Sequence, residues 1–317
     1  MRSSRITRRA SWPPWRRASV PEVADTNVSP TLAAALRQAT ADLRRAGIDE
    51  PGNEARRVAA AALGLSAAQV LGRSEMRLSP TAAARLAAWI ARRAAHEPLS
   101  RILGQREFYG RTFAISPATL DPRPDSETLV EAALTIVGEE GWRDRPLRIL
   151  DVATGSGCLL LSLLAELPLA RGIGTDASEA ALHVARANAR RLGLAQRAGW
   201  VAADMLEGLC GDFDIMIANP PYVPDGEIAR LEPEVRCFDP HSALAGGRDG
   251  LHFFHRLAAK LACAIREGWV LLEVGHDQAG AVAELLSAAL PGGRCGDLRI
   301  FHDIAGRQRC VAMRARN

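Results

Sequence analysis

The sequence predicts an α/β fold: a mostly parallel sheet with covering helices, ending in an antiparallel hairpin and preceded by a small all-α bundle. Three observations predict it. From Leu147 onward, short apolar stretches rich in β-branched residues alternate with helical stretches, the pattern of a parallel sheet. Residues 30–100 carry Ala, Leu and Arg at helical spacing with no strand-like stretch. Near the end, Arg294–His302 and Gln308–Met313 flank Ala305-Gly306, which suits an antiparallel pair.

Composition narrows the class. At 317 residues the prior is about two domains. Hydrophobic residues form 48% of the chain, enough for a sizeable core. No run approaches the roughly 18 uninterrupted apolar residues of a membrane span. The net charge of +4 is an uneven average, because Arg2, Arg5, Arg8, Arg9, Arg16 and Arg17 precede any acid. The rest is close to neutral, so a broad nucleic-acid-binding face is not indicated. Lys260 is the sole lysine, which reflects a GC-rich genome rather than a function. The six cysteines are scattered without a CxxC pair, as expected for reduced thiols in a cytoplasmic protein rather than a disulfide framework or zinc site. Residues 1–28 are Arg-rich, hold no acid in the first 20 positions and have no apolar core. They read as a disordered tail or an early start, with an organellar transit peptide as the rival.

The helical domain spans residues 29–100. Ser29-Pro30 reads as an N-cap with proline at the first helical position, followed by Leu32, Leu36, Ala39 and Leu43 on one face and Gly47 as a stop. Pro51 to Leu63 is a second helix closed by Gly64, and Ser66 to Leu71 a short third. Ser79-Pro80 starts a fourth, running to about Ala95. This region holds no catalytic constellation; it stabilises or recognises a partner.

Residues 101–125 form a connector. Phe108 and Tyr109 before Gly110, then Phe113 and Ile115, predict a hairpin. Pro122 and Pro124 hold an extended loop, and Ser126 is placed to cap a helix running to about Val137.

The α/β domain, 126–317, follows. Strands are expected at Arg148–Val152, Arg171–Thr175, Trp200–Ala203, Phe213–Ala218 and Trp269–Val274. Helices are expected at Cys158–Leu167, Ser178–Leu192, Leu251–Arg266 and Gln278–Leu290.

Candidate functional residues fall at the strand ends, where open α/β sheets bind ligands. After the first strand, Asp151-Val152-Ala153-Thr154-Gly155-Ser156-Gly157 forms a turn whose glycines admit a ligand close to the backbone. Asp176 ends the second strand and can accept both hydroxyls of a ribose. Asp204 ends the third, with Met205 set to border an adenine. Asn219-Pro220-Pro221-Tyr222 ends the fourth. The prolines stop the sheet and hold Asn219 rigidly. The Asn219 side-chain oxygen and the Pro220 carbonyl can accept the two hydrogens of a planar NH2 group, with Tyr222 against its face. A proline turn with a self-capping Asn is the bland reading of those four residues alone. A dinucleotide site would want glycine at position 160, where Leu160 stands. Together the four strand ends read as S-adenosylmethionine beside an NH2 clamp. His252 and His255 lack a third ligand, so no metal is expected. Glu273, inside an apolar strand, is either paired in the core or near the site.

The chain resembles the HemK-type (PrmC-type) N5-glutamine methyltransferases that act on peptide chain release factors, over about residues 30–317. The likeness rests on Gly104 to Gly110, Pro122-Arg123-Pro124 with Glu127, the Gly-rich turn, and Asn219 to Tyr222. It rests also on Glu234-Val235-Arg236, Ala243 to Gly247, Asp249-Gly250-Leu251 and Ala305 to Arg309. It implies a Rossmann-like S-adenosylmethionine-dependent methyltransferase domain behind a helical domain that recognises the release factor. The implied substrate is the glutamine of a Gly-Gly-Gln loop. By this likeness Asp151, the Ala153–Gly157 turn, Asp176, Asp204, Met205 and Asn219 hold the cofactor. Asn219, Pro220, Pro221 and Tyr222 grip the glutamine amide, with Arg123 and Glu127 as further substrate contacts. A monomer is expected, with no metal, membrane or direct nucleic-acid partner. Five positions depart from the pattern: Ala153 for glycine, Asp121 for isoleucine, Asp125-Ser126 for Glu-Thr, and Met205 for an aromatic. Ala153 is harmless at negative φ and costly otherwise. The rivals are a sister enzyme methylating a ribosomal-protein glutamine, an N6-adenine methyltransferase of nucleic acid, and an inactive cofactor-binding protein.

Overall fold

The computed structural model describes residues 29–290 and 295–316; the expected tail of residues 1–28 and Arg294 lie outside them. Helices α1 (Leu32–Arg45), α2 (Pro51–Leu63), α3 (Ala67–Gly72) and α4 (Pro80–Ala94) form the N-terminal bundle. Its core is Leu32, Leu43, Val58, Leu78, Leu86 and Ile90, with smaller residues between. The caps follow local chemistry. Ser66 and Gln69 make a capping box on α3, and Ser79 caps α4 with proline next to it. The first cap differs from expectation: Thr31, not Ser29, accepts from the Ala34 N–H at 3.2 Å. Pro30 is engaged elsewhere, its carbonyl accepting from the Leu78 N–H at 3.0 Å.

A short helix α5 (Leu99–Leu103), absent from the sequence reading, leads into the hairpin of β1 (Gln105–Phe108) and β2 (Arg111–Ala114). Tyr109 and Gly110 turn it with positive φ at both positions, 49° and 67°, the twist that two-residue hairpins favour.

The remaining chain builds a seven-stranded sheet in the order β5-β4-β3-β6-β7-β9-β8. Strands β3 (Arg148–Val152), β4 (Arg171–Asp176), β5 (Ala198–Ala202), β6 (Ile215–Ala218) and β7 (Gly268–Glu273) are parallel. Strands β8 (Cys295–His302) and β9 (Gln308–Ala315) close it as an antiparallel pair. Helices α6 (Glu127–Glu139), α7 (Cys158–Glu166), α8 (Glu179–Arg191), α10 (His252–Ala264) and α11 (Ala279–Ala289) cover its faces, and α9 (Pro233–Arg236) is one turn in the loop after β6. Element ends fall within about two residues of the sequence reading, the usual play of such boundaries.

Leu160, Leu161, Ile149 and Ile217 belong to the core on one face of the sheet, and Leu150, Val152, Met216, Val270 and Leu272 to that on the other. Ile215 to Ala218 are fully buried, so β6 is anchored on both faces. Each such large side chain contributes on the order of 1.5–3 kcal/mol. The strand order reverses direction at β3 and β6, and the cleft opens at their carboxyl ends, where such sheets place ligands.

Ion pairs join the helical bundle to the loop after β6. Glu234 accepts from Arg93 at 3.3 Å and contacts His96 Nδ1 at 3.2 Å. Asp239, almost fully buried, pairs with both Arg101 and Arg123. Asp121 is accommodated by Ser100, whose hydroxyl donates to it at 2.6 Å. Among the described residues no helix is long and apolar enough to cross a membrane.

Candidate active site

The turn after β3 is built on a carboxylate. Asp151 is fully buried and accepts from the Thr154 hydroxyl at 2.5 Å and the Leu160 N–H at 3.4 Å. Burial pushes its pKa up to about 7 against those two hydrogen bonds. Its other oxygen has no hydrogen-bond partner among the described residues. Above it the backbone takes positive φ at Ala153 (58°), Gly155 (56°) and Gly157 (78°). Gly157 is the N-cap of α7, so the free N–H groups of that helix face the turn. Ala153 therefore adopts the left-handed conformation that disfavours a Cβ.

Asp176 ends β4 and bridges two elements. Its Oδ2 accepts the Gly155 N–H at 2.9 Å and its Oδ1 the Ser178 N–H at 2.8 Å. Desolvation nonetheless raises its pKa. Each oxygen keeps a lone pair for a ligand hydroxyl. Asp204 borders the cleft, held by Arg256 at 2.7 Å. Met205 beside it has a φ of 59° and is buried.

Asn219 follows β6 directly. Its Nδ2 donates to Ser126 Oγ at 2.9 Å, which leaves Oδ1 as the atom available to a ligand. The Pro220 carbonyl accepts no hydrogen bond from the described residues. The following backbone is clamped. The Tyr222 carbonyl accepts from Gln278 Nε2 at 3.0 Å, and Val223 exchanges hydrogen bonds with Leu244 and Gly246. A Cβ on Gly246 would stand 2.8 Å from Tyr222 Cα, so the glycine lets that loop lie flush on the turn.

The cleft is lined by Ala153–Ser156, Asp176, Asp204, Met205, Asn219 and Pro221, with Arg123 and Ser126 from the connector side. Five expected site residues do not line it: Asp151 and Gly157 lie beneath the turn, and Pro220 is buried behind Asn219. Tyr222 packs against the core and donates its hydroxyl to Glu273 at 3.2 Å. Glu127 accepts the Tyr109 N–H at 2.8 Å, so it fastens the hairpin turn to α6 rather than facing the cleft. Ser126 makes no cap for α6, because its hydroxyl is engaged by Asn219. Sequence reasoning missed this role, along with those of Gln278 and Asp239. For Ser126 the only local signal was its place beside Arg123.

Two family models match the chain: the PrmC N-terminal domain over residues 34–104 and the methyltransferase small domain over residues 139–231. The release factor glutamine methyltransferase of Rhodospirillum rubrum is 46% identical over 275 residues, which is 86% of this chain and 82% of the relative. That of Bradyrhizobium diazoefficiens is 44% identical over 270 residues, 85% of this chain and 91% of the relative. The chain belongs to the release factor glutamine methyltransferase family. A solved structure, the hMettl16 catalytic domain in complex with a MAT2A 3′UTR hairpin, matches with a TM-score of 0.50 at 16% identity. It covers 75% of this chain and 82% of that one, a likeness of fold alone.

The methyltransferase cleft fits a nucleoside. Asp176 offers lone pairs to vicinal hydroxyls, and the backbone at Ala153–Gly157 lets a ligand approach closely.

Proposed function

We propose that this chain methylates the side-chain amide nitrogen (N5) of the glutamine in the Gly-Gly-Gln loop of peptide chain release factors, acting in the cytoplasm as a monomer. The donor in this reading is S-adenosylmethionine, which when bound supplies a methyl group activated on a sulfonium. Asp176 holds the ribose, and the Ala153–Gly157 turn, Asp204 and Met205 border the rest of the nucleoside. The observation that carries the reading is the state of Asn219. Its NH2 is taken by Ser126, which leaves its oxygen for a ligand in the cleft that Asn219 lines, and the carbonyl of the next residue, Pro220, accepts no hydrogen bond from the described residues.

An amide nitrogen is a poor nucleophile because its lone pair is delocalised into the carbonyl. Two fixed acceptors, Asn219 Oδ1 and the Pro220 carbonyl, hold its two hydrogens and aim the nitrogen. Alignment of this kind converts much of the barrier into prior positioning. The same acceptors disperse positive charge developing on nitrogen. The nitrogen loses its proton during or after transfer, so no strong base is required.

The test is transfer of labelled methyl from S-adenosylmethionine to purified release factor, with DNA and ribosomal proteins beside it. Label on the release factor supports the reading. Label only on DNA or only on a ribosomal protein replaces it with the corresponding rival.

A further inference from the structure

Glu273 is the last residue of β7 and is 1% exposed. It lies one position beyond the Ala218–Leu272 pair of β6 and β7, which brings it alongside Asn219. Its Oε1 accepts the Tyr222 hydroxyl; its Oε2 is buried with no hydrogen bond of good geometry among the described residues. Ser126 lies near enough to favour the charged form of this carboxylate, while its hydroxyl makes no hydrogen bond to either carboxylate oxygen in this structure, so the buried Oε2 is left in want of a donor. Ser126 Oγ in turn accepts from Asn219. A serine hydroxyl has one proton to give, and a carboxylate has none.

We propose that Ser126 and Glu273 fix which way round the Asn219 amide lies, and thereby make the site select a substrate amide over a carboxylate. In this relay the Ser126 hydroxyl turns its single proton toward the unpartnered Oε2 of the ionised Glu273. Ser126 can then only accept from Asn219, so the Asn219 NH2 turns inward and its oxygen turns to the cleft. An acceptor at that place suits the N–H of an amide and repels the oxygen of a carboxylate. Ser126 and Glu273 are positioning residues, acting through Asn219. This rests on the reading of the site as a glutamine clamp.

The polarity of the relay depends on the Glu273 charge. The groups facing it are Tyr222 from the loop after β6, Arg309 and Cys310 from β9, Asp125 and Ser126 from the connector, and Cys158 from α7. Arg123 faces Tyr222 from the same connector. Arg309 is engaged by Asp303 at 3.0 Å and Asp125 at 3.1 Å, and forms no ion pair with Glu273. Burial raises both thiols and the Tyr222 phenol, which stay protonated at neutral pH. Glu273 is pushed up to about 7 by burial, against Ser126, Arg309 and Tyr222. Once protonated it donates to Ser126, whose own proton then goes to the Asn219 oxygen, and the clamp is inverted. Methyl transfer accordingly falls as pH drops through about 7.

The experiment measures kcat and KM for methyl transfer to release factor by the intact enzyme and by Ser126→Ala, Ser126→Thr and Glu273→Gln, each checked for its melting temperature and S-adenosylmethionine binding. Ser126→Ala should lower kcat roughly tenfold to hundredfold, the scale of one hydrogen bond to a critical group. Ser126→Thr, which keeps the hydroxyl, should recover most of it. A release factor whose loop glutamine is replaced by glutamate should compete better against Ser126→Ala than against the intact enzyme. The acid limb of kcat should vanish in Glu273→Gln. Unchanged kcat and unchanged amide-over-carboxylate preference in Ser126→Ala would overturn the proposal, as would an intact acid limb in Glu273→Gln. No transfer by the unsubstituted enzyme would instead refute the substrate reading itself.

Discussion

Ala153 is a strained residue in the turn after β3, and relieving it should stabilise the protein. With a φ of 58°, it holds a left-handed conformation that costs an ordinary residue about 1–2 kcal/mol. Glycine at this place removes that cost. It also loses more chain freedom on folding, which takes back roughly 0.5–1 kcal/mol. The net gain for Ala153→Gly is about 0.5–1 kcal/mol. At about 2–4 °C per kcal/mol for a domain of this size, the melting temperature should rise by about 1–4 °C. Thermal denaturation followed by circular dichroism reads this directly, and Gly155→Ala, at a φ of 56°, should move it down. An unchanged or lower melting temperature for Ala153→Gly would show that the turn relaxes around the methyl group and that the strain argument is wrong.

Other outcomes follow from the same geometry. Asn219→Ala should lower kcat by roughly a hundredfold to a thousandfold, on the scale of losing one preorganised electrostatic contact. Its affinity for S-adenosylmethionine should change far less; equal losses measured by calorimetry would sink the clamp assignment. Asp176→Ala should weaken S-adenosylmethionine binding by about 1.5–3 kcal/mol, seen by the same calorimetry, through the loss of charge-assisted hydrogen bonds. Asp239→Ala strands the buried Arg101 and should destabilise the fold by about 3–5 kcal/mol in denaturant titration. Asp151 has a folded pKa of about 7, above its unfolded value, so the folded state binds more protons between the two. Its contribution to stability therefore declines as pH rises through that window. Asp151→Asn should raise the melting temperature more at pH 8 than at pH 5 in the absence of ligand.

The parts of the site legible in the sequence were those written in consecutive residues at the end of a strand. The glycines from Gly155 to Gly157 and the prolines after Asn219 announce their backbone geometry locally, and strand-end placement does the rest. Ser126 was read as a helix cap because capping is what a serine before a helix commonly does. Its bond to Asn219 joins residues far apart in sequence, and only the packing of the connector over β6 reveals it. Glu273 stood out as a carboxylate in an apolar strand, yet its partner depended on β7 lying next to β6. Tyr222 was expected against the substrate, but its hydroxyl is drawn inward by that same carboxylate. Glu127 was assigned to the substrate from the motif, whereas the turn of the preceding hairpin claims it. Helix α5 was missed because five residues are too few to show a helical period.

The measurement closest to the central claim is fragment mass spectrometry of release factor after incubation with S-adenosylmethionine and this enzyme. The account predicts a single methyl group on the side-chain amide nitrogen of the loop glutamine, lost when that glutamine is replaced by alanine and nearly lost with Asn219→Ala. A methyl group on any other atom of the release factor, or one that persists without the loop glutamine, would contradict it.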